Sequence, residues 1–252
     1  MKRAFSLLEM TIVLAIIALL THLAVLNLGE YRNKKLEKEA DRHLSEIKEA
    51  AERFLHDIGR LPRLRPHTNS LGRISWTLSE LWEKPSHLDY CHLVRKDSVS
   101  FAVGWNGPYL KMPFGANRLL DPWGNELELE DSAHLKRLWA DAQDNVTNIC
   151  HYGSSGREVD KKSLSLIPNG GLVADLILTV DAASYDGDIR CSWYGAYENV
   201  LTNDTQIIFS GSQAVFRNVP CGPKAIKIVT SKETIRFVDV KGPVTQIGFK
   251  VQ

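Results

Sequence analysis

Residues 5–28, FSLLEMTIVLAIIALLTHLAVLNL, form a nearly unbroken apolar run whose one acid, Glu9, stands close to its start. From Met10 to Leu28 the only polar interruptions are Thr11, Thr21, His22 and Asn27. A helix rises about 1.5 Å per residue, so about 20 apolar residues match the hydrocarbon of a bilayer. The run therefore predicts a membrane-crossing helix, with Lys2 and Arg3 as the basic flank expected on the cytoplasmic side.

The helical pattern continues past Leu28. Leu36, Ala40, Leu44, Ile47, Ala51, Phe54 and Ile58 recur at steps of three and four, which draws one apolar stripe along a helix. Charged residues from Glu37 to Arg53 fill the other faces. Gly59 supplies a stop and Pro62 follows it. One helix of roughly 80 Å is predicted from Phe5 to about Ile58, apolar all round in its first half and amphipathic in its second.

The order at the start of the chain is not that of an ordinary secretory signal, which places its small-residue cleavage site after the apolar core. Lys2-Arg3-Ala4-Phe5-Ser6-Leu7-Leu8-Glu9 resembles the prepilin signature of type IV pilins and type II secretion pseudopilins. The resemblance implies cleavage between Ala4 and Phe5, N-methylation of Phe5, and a role for Glu9 in filament assembly. The family usually has Gly where this chain has Ala4. An acid within lipid costs on the order of 3 kcal/mol or more unless it finds a partner. The new amine on Phe5 of a neighbouring copy is one partner for Glu9; headgroup solvation at the membrane edge is the other reading.

A second set of residues points the same way. Gly104-Trp105-Asn106-Gly107-Pro108-Tyr109-Leu110 precedes Asp121-Pro122-Trp123-Gly124-Asn125. Asp-Pro opens a turn and Gly-Asn tolerates positive φ. Glu126 to Glu130 then alternates polar and apolar, as a half-buried strand does. Gly107, Pro108 and Tyr109, followed by Asp121, Pro122, Trp123 and Gly124, resemble the motifs of the major pseudopilin, and the resemblance covers roughly residues 1–160. It implies an α+β, pilin-like fold: a long N-terminal helix, partly transmembrane, packed on a small antiparallel sheet. The family's calcium loop corresponds to residues 152–160, where Glu158 and Asp160 are the acids and Arg157 sits close by. Calcium wants six to eight oxygens. No cofactor is expected, with calcium as the lesser alternative.

After the connector 161–171 the character changes. Short β-rich runs begin at Leu172, separated by Asp186-Gly187, Asn203-Asp204, Pro220 to Pro223 and Lys241-Gly242-Pro243. This spacing predicts a small all-β, sandwich-like domain. Residues 215–223 loosely resemble carboxypeptidase-regulatory-like or transthyretin-like sandwiches. Trp193, Tyr194 and Tyr197 are either an exposed aromatic platform or core packing. The expected organisation is a leader at 1–4, a transmembrane and filament-core helix at 5–28, a pseudopilin-like domain at 29–160, a linker at 161–171, and a β-domain at 172–252.

Cys91, Cys150, Cys191 and Cys221 show no zinc spacing. An even count in an exported chain favours disulfides. Cys91–Cys150 and Cys191–Cys221 are the expected pairs, each within one domain, against the alternative of buried thiols. The net charge is +1, and loss of Lys2 and Arg3 leaves 29 basic residues against 30 acidic, so no nucleic-acid surface is expected. No nucleophile elbow, phosphate loop or metalloprotease motif is present, so no enzyme is expected. The resemblance implies a filament subunit of a type II secretion pseudopilus or, alternatively, a minor or tip subunit whose β-domain binds cargo, glycan or a surface. The implied partners are further copies of the chain, other pseudopilins, a prepilin peptidase, the secretion assembly platform and the membrane. The implied location is the bacterial inner membrane, single-pass, with the N-terminus cytoplasmic and the later domains periplasmic.

Overall fold

The computed structural model describes residues 7–63, 65–68, 74–112, 118–124, 127–131, 146–151, 162–167, 171–182 and 185–250. It begins with helix α1 (Leu7–Ile58). Strands β1 (Arg65–Thr68) and β2 (Ile74–Thr77) form a hairpin, as do β3 (His92–Lys96) and β4 (Val99–Val103). β5 (Glu128–Asp131), β6 (Val146–His151) and β7 (Lys162–Ser165) make a three-stranded sheet.

The C-terminal strands are β8 (Val173–Asp181), β9 (Ile189–Tyr197), β10 (Val200–Ile208), β11 (Gln213–Pro220), β12 (Gly222–Val229), β13 (Glu233–Val240) and β14 (Val244–Lys250). They form two facing sheets, ordered β10-β9-β12-β13 and β11-β8-β14. β14 runs parallel to β8, and the other pairings are antiparallel. The core between the sheets follows from alternation: Ala174, Leu176, Leu178 and Val180 of β8 point inward and meet Ile189, Cys191, Trp193, Ile226 and Ile228. β9 and β12 lack clean alternation because both of their faces are covered. On the outer face, Tyr194, Ala196 and Ala225 pack with Val99, Phe101 and Val103 of β4.

Along α1 the buried face runs Ala40, Leu44, Ile47, Ala51, Phe54 and Ile58. Gly59 ends the helix at φ +82°, and its amide donates to the Leu55 carbonyl.

The expected fold class is corrected. Strands hold 44% of the described residues, so the chain is mostly β. The side chains of α1 are described over two stretches, of 13 and 28 residues, and neither lies on one small sheet as in a pilin. The second stretch packs instead on turn and loop residues, including Leu61, Leu78, Leu81, Leu88, Trp105 and Tyr109. The physical reason is the spacing of apolar residues between 61 and 110. Those that meet the helix fall in the loops and turns that flank and join the two hairpins, which supply knobs for it but no continuous sheet face.

The expected single-pass location in the inner membrane is also corrected. Among the described residues no helix is long and apolar enough to cross a membrane.

Candidate functional site: an exposed apolar helix and a buried clasp

Two places in the molecule stand out physically. The first is α1 between residues 10 and 22. Met10, Ile12, Val13, Leu14, Ile16, Ile17, Leu19 and Leu20 are 49–61% exposed and point to every side of the helix. The Thr21 hydroxyl is satisfied locally, donating to the Ile17 carbonyl at 2.7 Å. Full burial of each large apolar side chain yields about 1.5–3 kcal/mol, so this surface favours any association that covers it. Ala4 and Phe5 lie outside the described residues. Glu9 falls within α1, and its side chain lies outside the described set.

The second place is the end of α1. Arg60 is buried and forked: Nη1 donates to Glu80 Oε2 at 2.8 Å, and Nε donates to Glu198 Oε1 at 2.8 Å. Its guanidinium also sits over the Phe54 ring, 5.3 Å from the centroid. The Arg63 amide donates to Glu80 Oε2 at 2.9 Å, and Arg63 Nη2 lies 3.3 Å from Glu198 Oε1. Glu198 and Asn199 are the two loop residues between β9 and β10, with Glu198 at φ +54°. The Glu198 amide donates to the Ile58 carbonyl at 2.7 Å, and its carbonyl accepts from the Gly104 amide at 3.1 Å. Asn199 Oδ1 accepts from the Asp89 amide, and Asn199 Nδ2 donates to the His87 carbonyl, both at 2.8 Å. A side chain on Gly59 would collide with the Ala196 carbonyl, so glycine is required there for closeness as well as for φ.

The motif residues are structural. Gly107 leaves room for Trp105, whose ring would stand 2.5 Å from an added Cβ. Pro108 follows it. Tyr109 packs edge-on against Phe54 and Trp105, and its hydroxyl accepts from the Asn106 amide at 2.9 Å. Burial, with the Asp57 carboxylate also nearby, raises the Tyr109 phenol. Arg53 Nη2 donates to the Tyr109 carbonyl at 2.9 Å. Trp105 Nε1 donates to the Glu80 carbonyl at 3.0 Å, which links this motif to the clasp. Asp121 makes an Asx turn across Pro122, its Oδ1 accepting from the Trp123 amide at 3.0 Å, and Gly124 takes φ +90°. The sequence marks the Asp121 motif as a turn device and the Gly107 motif only as a resemblance. It does not mark the clasp, because Arg60 and Glu198 are 138 positions apart.

The thiols correct the expected disulfides. Cys91, Cys191 and Cys221 are free. Cys191 lies opposite Ile228, and Cys221 precedes Ile228 by seven positions, at the start of β12. At about 3.3 Å per residue the two are roughly 20 Å apart, far beyond the 7 Å limit for a disulfide. Burial pushes the Cys191 thiol up to about 11 and raises that of Cys221. Cys91 is exposed with its thiol free, so the Cys91–Cys150 pair is absent too; the side chain of Cys150 lies outside the described residues. Trp193 and Tyr194 are buried, so the aromatic platform is not formed. The loop 152–160 lies outside the described residues. Among the described residues no group of three or more His, Cys, Asp and Glu could hold a metal ion.

Two crevices lie beside the last turns of α1, and His56 lines both. One, of about 550 Å³, runs between α1 and the β12–β13 edge, and Glu49, Glu52, His56 and the Asp239–Lys241 ion pair line it. The other, of about 280 Å³, opens beside Phe101 and Phe237, whose rings stack at 6.2 Å. Lys224 is buried near the first, and burial pushes its ammonium down to about 8.

Comparison with protein-family models, with curated proteins and with solved structures gives no match.

Proposed function

We propose that the chain is a structural subunit that self-associates through α1 into a filament of the type II secretion pseudopilus kind, supporting protein secretion. The observation that carries this reading is the exposed apolar surface of residues 10–22, which no other part of the described chain covers. Packing copies side by side removes that surface from water. The order Lys2, Arg3, Ala4, Phe5 and Glu9 supports the same reading, since the amine left on Phe5 is a charge partner for Glu9 of a neighbour. A stagger that separates the two leaves a charge unpaired, so the pair sets register. A prepilin peptidase, other pseudopilins and the assembly platform are the partners this reading requires.

Two measurements test it. Mass spectrometry of the mature protein is expected to find methylated Phe5 at the N-terminus; an intact Met1 removes the processing step. Glu9→Ala is expected to reduce the yield of crosslinked assembly sharply, and an unchanged yield removes its role in register.

A second reading makes the chain a minor or tip subunit whose sandwich contacts cargo, glycan or a surface. Its supporting observation is the exposed apolar residues of the sandwich, with Ile207, Phe209 and Phe237 each at least 60% exposed. Phe237→Ser in otherwise wild-type protein separates the readings. Loss of partner binding with assembly intact favours the tip role.

A further inference from the structure

We infer that the Glu198-Asn199 loop is a latch that fixes the C-terminal sandwich to the end of α1, so that helix and sandwich move as one body. Four separate segments converge on these two residues: the helix end at Ile58, the segment Arg60 to Arg63, the turn at His87 to Asp89, and Gly104 just after β4. The contacts alternate between backbone and side chain, which fixes both the position and the angle of the hairpin. Glu198 holds φ +54°, a conformation that is costly for a side chain bearing a Cβ and is maintained only where surrounding contacts over-determine it. Gly59 lets the Ala196 carbonyl approach the helix end more closely than any other residue would allow. The latch is polar, whereas the cores around Phe54 and between the sandwich sheets are separate apolar clusters, and the small apolar seam of Val99, Phe101 and Val103 against Tyr194, Ala196 and Ala225 lies on the sandwich's outer face, not at the helix end. Breaking the latch therefore frees the β9–β10 loop from the helix end and from Gly104, and leaves each apolar cluster intact.

The device is independent of the filament reading, and its test needs no assembly. Backbone hydrogen exchange is measured on the full-length chain in detergent, for wild type and for the double variant Glu198→Ala/Asn199→Ala. The amides of Gly104 and of residue 198 keep their backbone partners in the variant, so they report docking of the loop. Both are expected to exchange about tenfold faster or more, while the amides of Ile177 and Ile226 in the sandwich and Ala51 in α1 stay within about twofold of wild type. Unchanged exchange at Gly104 and residue 198 overturns the latch. Equal acceleration throughout the sandwich also overturns it, because the loop is then part of one cooperative core. Should the double variant not fold, Glu198→Gln decides by the same readouts, since it keeps the hairpin and weakens only the pairing with Arg60 and Arg63.

Discussion

Arg60 and Glu80 form an ion pair at 2.8 Å in which the two side chains are only 4% and 1% exposed. Burying both charges is tolerable because further groups complete the hydrogen bonding: the Leu61 carbonyl and Glu198 for the guanidinium, the Arg63 amide for the carboxylate. Removing one member of such a pair leaves a buried charge uncompensated, at about 3–5 kcal/mol. Arg60→Leu is expected to lower unfolding stability by that amount in urea titration. Arg60→Leu/Glu80→Leu is expected to lose less than the sum of the two single changes.

Gly59 gives a prediction of a different kind. At φ +82° any other residue is strained by about 1–3 kcal/mol, and a Cβ here also meets the Ala196 carbonyl. Gly59→Ala is expected to cost at least that much in thermal or urea unfolding. Gly124→Ala serves as control, since it shares the positive φ but has open space around it, and is expected to lose only the strain.

Lys224 makes stability depend on pH. Burial holds its ammonium at about 8, against 10.5 for the ordinary side chain. Between these values the unfolded chain carries a proton that the folded chain does not, so stability rises with pH from about 8 to 10.5. Below about 8 both states are charged and the penalty, on the order of 3 kcal/mol, is constant. Cys191, raised to about 11, acts in the opposite direction above pH 9. The difference between wild type and Lys224→Met isolates the lysine. The variant is expected to be more stable at pH 7, with its advantage disappearing by about pH 10.5 in denaturant titrations.

Gln206 closes one edge of the sandwich. Its side-chain amide donates to the Val215 carbonyl at 2.7 Å and accepts from the Val215 amide at 3.0 Å, standing in for a neighbouring strand on β11. Gln206→Ala is expected to cost about 1–2 kcal/mol for the two lost bonds. It also leaves the β11 edge open beside exposed Ile207 and Phe209, so light scattering is expected to show faster aggregation than wild type.

The elements legible in the sequence are those whose signal is local. The stripe from Ala40 to Ile58 is a period, Gly59 is a stop, and the runs at 172–180, 189–194 and 235–240 are strands bounded by turn residues; all lie where local chemistry puts them. What escaped is set by distant contacts. Nothing in Val99-Ser100-Phe101-Ala102-Val103 says that its inward face meets Tyr194 and Ala225 rather than α1. Nothing in Cys191 and Cys221 says that strand register holds them far apart. The DPWGN motif describes a turn, and a turn does not dictate that a single sheet lies beneath the helix. The clasp was the least visible, since its members, Arg60, Glu80 and Glu198, read singly as surface charges.

The parallel pairing of β14 with β8 has a consequence for the order of assembly. β8 is the middle strand of its sheet, yet one of its flanks is supplied by the strand made last among the fourteen described here. Phe249 on that strand belongs to the interior, so the sandwich stays unzipped along one side until synthesis has delivered it. The module thus closes like a seam whose final stitch returns to the first, and a chain halted after β13 carries an unsealed hydrophobic margin beside β8.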